Sequence, residues 1–116
     1  MNMRDRVLSA RPAPSERVAI GETWVDVRQM LVWQYERYEG WLVKRKETGS
    51  STPSIRALLL VSTVHDPETG EPVFTEDDVQ TIDRLPSRIT DAAFQVAVRL
   101  NFRDLPAAPG DAAKNS

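Results

Sequence analysis

The chain has 116 residues, a formal net charge of −2 and no cysteine. Its length suits a single domain, and a hydrophobic content of 41% is enough to build a globular core. The missing cysteines exclude disulfides and thiolate metal sites, and the near-neutral charge argues against binding to nucleic acid or an anionic membrane. No apolar run approaches the roughly 20 residues that span a bilayer. Residues 1–8 lack the apolar core of a signal peptide, so we expect a soluble protein that stays where it is made.

Composition divides the chain into three predicted parts. Residues 1–16 contain two prolines and scattered charges without periodicity, so we predict a flexible N-terminal arm. Residues 17–102 are predicted to form one globular domain. Residues 103–116 are rich in proline, alanine and small polar residues, and we predict a disordered C-terminal tail.

The segment 17–27 is predicted to form a β-hairpin. Gly21-Glu22 fits a two-residue loop, with glycine at the position that needs a positive φ. The register that follows pairs Ile20 with Thr23, Ala19 with Trp24, Val18 with Val25, and Arg17 with Asp26. A lone hairpin is marginal in water, so we expect its apolar face to rest on helices or on a partner strand.

About four helices are predicted after the hairpin, which makes the fold α+β and mainly α. The first covers residues 28–46 and carries an apolar stripe of Leu31, Tyr35, Tyr38 and Leu42. Gly40 weakens this helix by about 1 kcal/mol relative to alanine. The second helix is predicted to open at Thr52-Pro53, as N-cap and first-turn proline. Because residues 58–61 are apolar on nearly all sides, it should be the most buried helix.

The two later helices follow a turn over residues 66–70 and a short extended Val73-Phe74. Thr75 to Asp78 has the pattern of a capping box that opens the third helix. Pro86 is predicted to open the fourth, whose apolar stripe consists of Ile89, Ala92, Ala93, Val96, Ala97 and Leu100.

Residue types that carry catalysis or bind metals are scarce in this chain. His65 is the only histidine, and a lone histidine is more often structural than catalytic. The acidic turn from Asp66 to Asp77 invites comparison with a calcium loop, but Gly70 stands fifth where an EF-hand needs glycine sixth. We therefore predict no enzyme activity, no metal and no cofactor.

Aromatic residues are concentrated between positions 24 and 41. They have two interpretations, which stay open at this point: packing beneath the N-terminal arm, or exposed anchors for a protein partner. The candidate partner-binding residues are Trp33, Trp41, Trp24, Phe74 and Phe94.

Several motifs follow one another in a recognisable order. They are Val25-Asp26-Val27-Arg28, Tyr35-Glu36-Arg37-Tyr38-Glu39, Arg56-Ala57-Leu58-Leu59-Leu60-Val61, Asp66-x-x-x-Gly70-x-Pro72-Val73-Phe74-Thr75-x-x-Asp78-Val79, Leu85-Pro86, and Phe94-x-x-Ala97-x-Arg99-Leu100-Asn101. In this order and spacing the chain resembles the tail assembly chaperones of siphophages, the long-tailed bacteriophages, over about residues 18–101.

The resemblance implies a non-catalytic assembly factor in the cytoplasm of the bacterial host. Such a chaperone coats the tape measure protein, keeps this aggregation-prone rod soluble and helps to bring tail tube subunits to it. It is absent from the finished virion. The edge of the hairpin is a candidate surface for a homo-oligomer. The main alternative is a structural virion protein such as a head–tail joining or tail-terminator subunit, although such proteins are usually richer in β-structure.

Overall fold

The computed structural model describes residues 2–9 and 13–103. Three strands form one antiparallel sheet in the order β1 (Ser15–Ile20), β2 (Thr23–Arg28) and β3 (Val64–His65). The α-helices in these residues are α1 (Met3–Leu8), α2 (Val32–Thr48), α3 (Ile55–Thr63), α4 (Val79–Asp83) and α5 (Ser87–Val98). A 3₁₀ turn, Glu76–Asp78, precedes α4, and a π-helical turn, Arg99–Arg103, follows α5. The α+β, mainly helical fold with four α-helices after a hairpin is thereby confirmed.

The predicted hairpin register is confirmed pair by pair. Strand β1 pairs with β2 so that Val18 faces Val25 and Arg17 faces Asp26. Gly21 has a φ of +61°, as the two-residue loop requires. The Arg17 Nε atom lies 3.2 Å from Asp26 Oδ1 on the outer face, while the valines of the inner face are buried against the helices.

Helix α3 forms the centre of the core, as its apolar sequence predicts. Every residue from Ala57 to Thr63 is buried, and α2, α4 and α5 all pack against this helix. The predicted start at Thr52-Pro53 is wrong. Ser54 is the N-cap instead, because its side chain accepts a hydrogen bond from the Ala57 N–H and also donates one to the Asp83 carboxylate.

Helix α2 presents only half of the predicted stripe to the core, because Tyr38 is buried there and Leu42 is half-buried against it. Leu31 and Tyr35 are exposed, whereas Gln34 and Tyr38 are buried. Trp41 is half-buried and packs against the core one turn after Tyr38. The prediction counted apolar side chains alone, and it failed because the Gln34 amide finds hydrogen-bond partners inside the domain.

The last helix follows its prediction except at one position. Helix α5 begins directly after Pro86, and most of the predicted stripe is buried against β1, β2 and α3. Ala92 is exposed instead. Thr90, which was not part of the predicted stripe, is buried, and its hydroxyl donates a hydrogen bond to the Ser87 carbonyl.

The predicted N-terminal arm over residues 1–16 contains regular structure among its described residues. Helix α1 forms because Asn2 caps it through a hydrogen bond from the Asp5 N–H. No residue of α1 is buried. Strand β1 begins at Ser15, inside the predicted arm, because it pairs with Arg28 at the end of β2. Of the predicted tail over residues 103–116, only Arg103 is described, so the rest lies outside the described residues.

The Asn101 side chain closes the domain by binding the link between β2 and α2. Its Oδ1 atom accepts a hydrogen bond from the Met30 N–H at 2.7 Å, and its Nδ2 atom donates to the carbonyls of Ala97 at 2.9 Å and Arg28 at 3.3 Å. Gln29 adds a bond to the Leu100 carbonyl. The Arg-Leu-Asn motif therefore joins the end of the described chain to the start of α2.

Replacement of Asn101 by alanine removes these bonds and leaves backbone groups of the link without partners. We expect the free energy of unfolding to fall by about 1–3 kcal/mol, measured by urea denaturation. Gln95→Ala, at an exposed position of α5, is the matched control and should change it by less than about 0.5 kcal/mol. Equal losses in both variants would contradict the closing role of Asn101.

Candidate functional site

Two of the predicted partner-binding tryptophans are joined by an arginine on α2. The Cζ atom of Arg37 lies 5.0 Å from the ring centroid of Trp33 and 4.6 Å from that of Trp41. Because residues four apart lie on one side of a helix, the three side chains stack along the helix as a ladder. The cation–π contacts hold the guanidinium between the rings. We call these three residues the tryptophan–arginine ladder.

The ladder differs from an ordinary core cluster in its exposure. Trp33 is 53% exposed, while Trp41 is half-buried and packs against the core. The ladder thus runs from the surface to the edge of the core. Both tryptophans were predicted from the sequence, whereas Arg37 was missed. The signal for Arg37 was its position four residues after Trp33 and four residues before Trp41.

Trp24 lies on a different surface. It is 63% exposed on the outer face of the hairpin and lines a shallow groove with Pro67 and Val73. Charged groups at the rim of the groove include Arg17 and Asp66. The structure therefore places Trp24 on the sheet and away from α2, with an apolar surface of its own.

The two predicted phenylalanines are half-buried and pack against the core. Phe94 is covered by the guanidinium of Arg56, whose Cζ atom lies 4.6 Å from the ring centroid. Phe74 follows Val73, whose N–H donates to the Val64 carbonyl, which agrees with the predicted extended anchor. Both rings offer less surface than Trp24 or Trp33, and the partner-binding role of all five aromatic residues stays a prediction.

A groove of about 520 Å³ begins beside Trp41 and runs between α2 and the 3₁₀ turn that leads into α4. One wall carries the cations Lys44 and Arg45, and the other carries the carboxylates Glu76 and Asp77. Arg45 is already bonded to the backbone carbonyls of Ser51 and Pro53. The groove is thus an open cleft with opposite charges on its two walls.

A buried chain of hydrogen bonds joins the start of α2 to strand β3 and the end of α3. The Nδ1 atom of His65 lies 2.9 Å from the Thr63 carbonyl, which can only accept, so Nδ1 carries the proton. Nε2 then accepts from the Gln34 amide nitrogen at 3.4 Å. The Gln34 Oε1 atom in turn accepts from the Leu31 N–H at 2.8 Å. His65 therefore has a structural role, and Gln34 was missed because buried glutamine carries no periodic signal.

The structure contains no group of three or more histidines or carboxylates placed to hold a metal ion within residues 2–9 and 13–103. No helix in the same residues is long and apolar enough to cross a membrane. The features that remain are the tryptophan–arginine ladder, the Trp24 groove and the charged groove. All three are open to solvent and combine aromatic side chains with charged groups.

Comparison with known proteins finds one distant likeness. No model of a known protein family matches the chain, and no curated protein matches it. Among solved structures, the chain is similar to the tail assembly chaperone of bacteriophage HK97, with 15% sequence identity and a TM-score of 0.46. The likeness covers 80% of this chain and 91% of the other. At this low identity and TM-score, the likeness does not indicate a function for this chain.

The protonation of His65 gives the fold a predictable pH dependence. Burial lowers the pKa of His65, and the nearby Arg28 charge lowers it further, against opposing effects of the Thr63 carbonyl, Asp26 and Glu71. The unfolded state, with a histidine pKa of about 6.5, therefore binds a proton at a higher pH than the folded state does. We expect the stabilising effect of neutral His65 to be complete above pH about 6.5 and to be lost progressively below it.

Urea denaturation between pH 7.5 and 5.5 measures this loss. His65→Asn is the comparison, because an asparagine amide can still donate to the Thr63 carbonyl but does not titrate. We expect the free energy of unfolding of the wild type to fall more steeply with decreasing pH than that of the variant. Parallel curves would contradict the role of His65.

Proposed function

We propose that this protein is a non-catalytic tail assembly chaperone of a siphophage. In this role it binds the tape measure protein, keeps it soluble and helps to recruit tail tube subunits during assembly. It acts in the cytoplasm of the bacterial host and is absent from the mature virion. Its clients are proteins, and no nucleic acid or membrane takes part.

The observation that carries this proposal is the exposed apolar surface of α2. Val32 is 82% exposed, and Trp33 and Val43 are more than half exposed on the same helix. Water-exposed side chains of this size on a helix that also packs on a core are typical of protein-binding surfaces. A holdase needs such a surface, because it must bind apolar segments of a client reversibly.

The sequence motifs support the proposal through the positions that they occupy. The Asp78 carboxylate accepts from the Thr75 N–H at 2.8 Å, which is one half of the predicted capping box. Asn101 closes the domain, and Phe74 packs against the core. Two of the motifs that suggested the resemblance, from Asp66 to Val79 and from Phe94 to Asn101, thus have structural roles in this chain.

No feature of the described residues supports the alternative of a ring-forming virion subunit in the way that the exposed side chains of α2 support a chaperone. Such subunits are usually built on larger sheets, whereas the sheet in the described residues has three strands, the last of only two residues. Strand β1 lies at the edge of this sheet and is the surface on which self-association would be sought.

Co-expression with the tape measure protein from the same genome tests the proposed function. Tape measure protein that is soluble and co-purifies only when this chain is present would support the chaperone role. If the rod stays insoluble and this chain is instead found in purified virions, the virion-subunit alternative is correct.

Trp33→Ala tests whether Trp33 binds the client or stabilises the fold. Because Trp33 is more than half exposed, the variant should lose little stability, with about 0.5–1 kcal/mol from the cation–π contact to Arg37. Binding to the tape measure protein should weaken about 10-fold or more, as expected for an exposed aromatic hot spot.

Trp24→Ala is the matched control for this experiment. It removes an equally exposed tryptophan from the hairpin face. If Trp24→Ala weakens binding and Trp33→Ala does not, the client-binding surface is the sheet, and the assignment to α2 is wrong. Trp41→Ala is not a clean probe, because Trp41 packs against the core and its removal should destabilise the fold.

A further inference from the structure

Arg37 is an arginine whose hydrogen-bonding capacity is not used by the part of the chain that the structure describes. Its Nε atom is buried without a hydrogen-bond partner. Its recorded contacts there are the two cation–π contacts with Trp33 and Trp41. A guanidinium has five N–H donors in a rigid plane that matches a carboxylate. The terminal Nη groups also have no hydrogen-bond partner among the described residues, but they are not buried, so they remain open to an acceptor from outside the domain.

Arg56 shows what a structural arginine looks like in the same domain. It also lies over an aromatic ring, that of Phe94. Its Nη1 atom, however, is 2.6 Å from Asp91 Oδ1 and 2.9 Å from the Ser87 carbonyl. The donors of Arg56 are used to join α3 to α5. Arg37 has the same stacked geometry, but its Nη groups have no acceptor within the described residues and are therefore free to bind one from outside the domain.

Gly40 lies next to the ladder and provides room for a close approach. A helix advances 100° per residue, so Gly40 falls within about 20° of Trp33 around the axis of α2. A Cβ atom added at Gly40 would meet nothing within 4 Å. Glycine in a helix interior costs about 1 kcal/mol relative to alanine, and no packing inside the domain requires it. The absent side chain leaves a notch between the two tryptophans.

The charge and the dimensions of this surface indicate what fits it. Arg37 and Lys44 lie on this side of α2, seven residues or about 10 Å apart along the helix. Carboxylates lie near its C-terminal end, where Glu47 follows on the helix and Glu76 and Asp77 line the groove beside Trp41. Arg37 does not line that groove and is the cation nearer the centre of the ladder. The two tryptophans are eight residues apart, or about 12 Å, which equals about two turns of a second helix. An apolar helix with one carboxylate near its centre would place that group at Arg37 and its own backbone at the Gly40 notch.

We propose that the Trp33, Arg37, Gly40 and Trp41 side of α2 is the docking site for a client helix with an acidic residue within its apolar face. This inference rests on the proposed function and places the client on the side of α2 that carries Trp33, about 80–100° around the helix from the exposed Val32 and Val43. The stacked Arg37 donates a charge-assisted hydrogen bond to the client carboxylate, which accepts it. Because the rings already fix the guanidinium, less conformational entropy is lost on binding.

The test uses overlapping 30-residue labelled peptides that cover the tape measure protein of the same genome. Dissociation constants are measured by fluorescence anisotropy against the full chain. Arg37→Gln removes the charge, and Arg37→Lys keeps the charge but removes the planar fork. Gly40→Gln fills the notch with a good helix former. We expect each to weaken binding of the tightest peptide about 10-fold or more, while Gly40→Gln leaves the melting temperature unchanged or raises it.

Lys46→Gln is the matched control. It makes the same charge change as Arg37→Gln on the same helix, at an exposed position nine residues away and therefore on the opposite side. We expect a change of less than 2-fold. Replacement of the acidic residue in the peptide by its amide should weaken binding to the wild type but add no further loss in Arg37→Gln.

The outcomes separate the two claims. If the wild type binds a peptide and the Arg37 and Gly40 variants bind it equally well, the docking site is wrong while the chaperone function stands. If the wild type binds no peptide and leaves the tape measure protein insoluble in co-expression, both are wrong. If Lys46→Gln weakens binding as much as Arg37→Gln does, the effect comes from the net charge of the helix, and the proposed docking site is wrong.

Discussion

The contact between Gln34 and His65 determines how α2 sits on the domain. The contact lies inside the protein, where an unpaired amide or imidazole would be costly. Helix α2 is therefore oriented so that Gln34 reaches His65 in strand β3. That orientation buries Tyr38 and turns Leu31 and Tyr35 outward. The exposed apolar side chains of α2 thus lie away from the side on which Gln34, Tyr38 and Trp41 meet the core.

The hairpin, the buried helix α3 and the last helix could be predicted because their signals are local. Gly21, the alternating valines and the apolar run of residues 58–61 each determine their structure through near neighbours. The orientation of α2 could not be predicted in this way. It depends on Gln34 meeting His65 across 31 positions of sequence, and neither residue contributes to an apolar periodicity. Strand β3 was missed because it has only two residues and forms by pairing with β2, which is distant in sequence.

The candidate site was predicted in part. Trp33 and Trp41 were identified by their side-chain type, which is a property of the sequence. Arg37 and Gly40 acquire significance only from exposure, stacking and the lack of an internal acceptor, which are properties of the fold. The motifs behind the family resemblance behave differently, because Thr75, Asp78 and Asn101 all stabilise the domain itself. Those three residues bear on the architecture. Of the proposed site, Trp33, Gly40 and Trp41 lie outside the motifs, whereas Arg37 lies inside the one from Tyr35 to Glu39.

Asn101 also bears on how the domain is assembled. Its bond to Met30 joins positions 71 apart, and Arg99 reaches Glu16 across 83 positions. Contacts of such long sequence separation form late, because the entropy of closing the loop must be lost before they stabilise anything. The hairpin and the helices can develop earlier from local contacts. The link between β2 and α2 thus becomes fixed only after α5 and Asn101 have reached it, which makes closure by Asn101 an expected late step of folding.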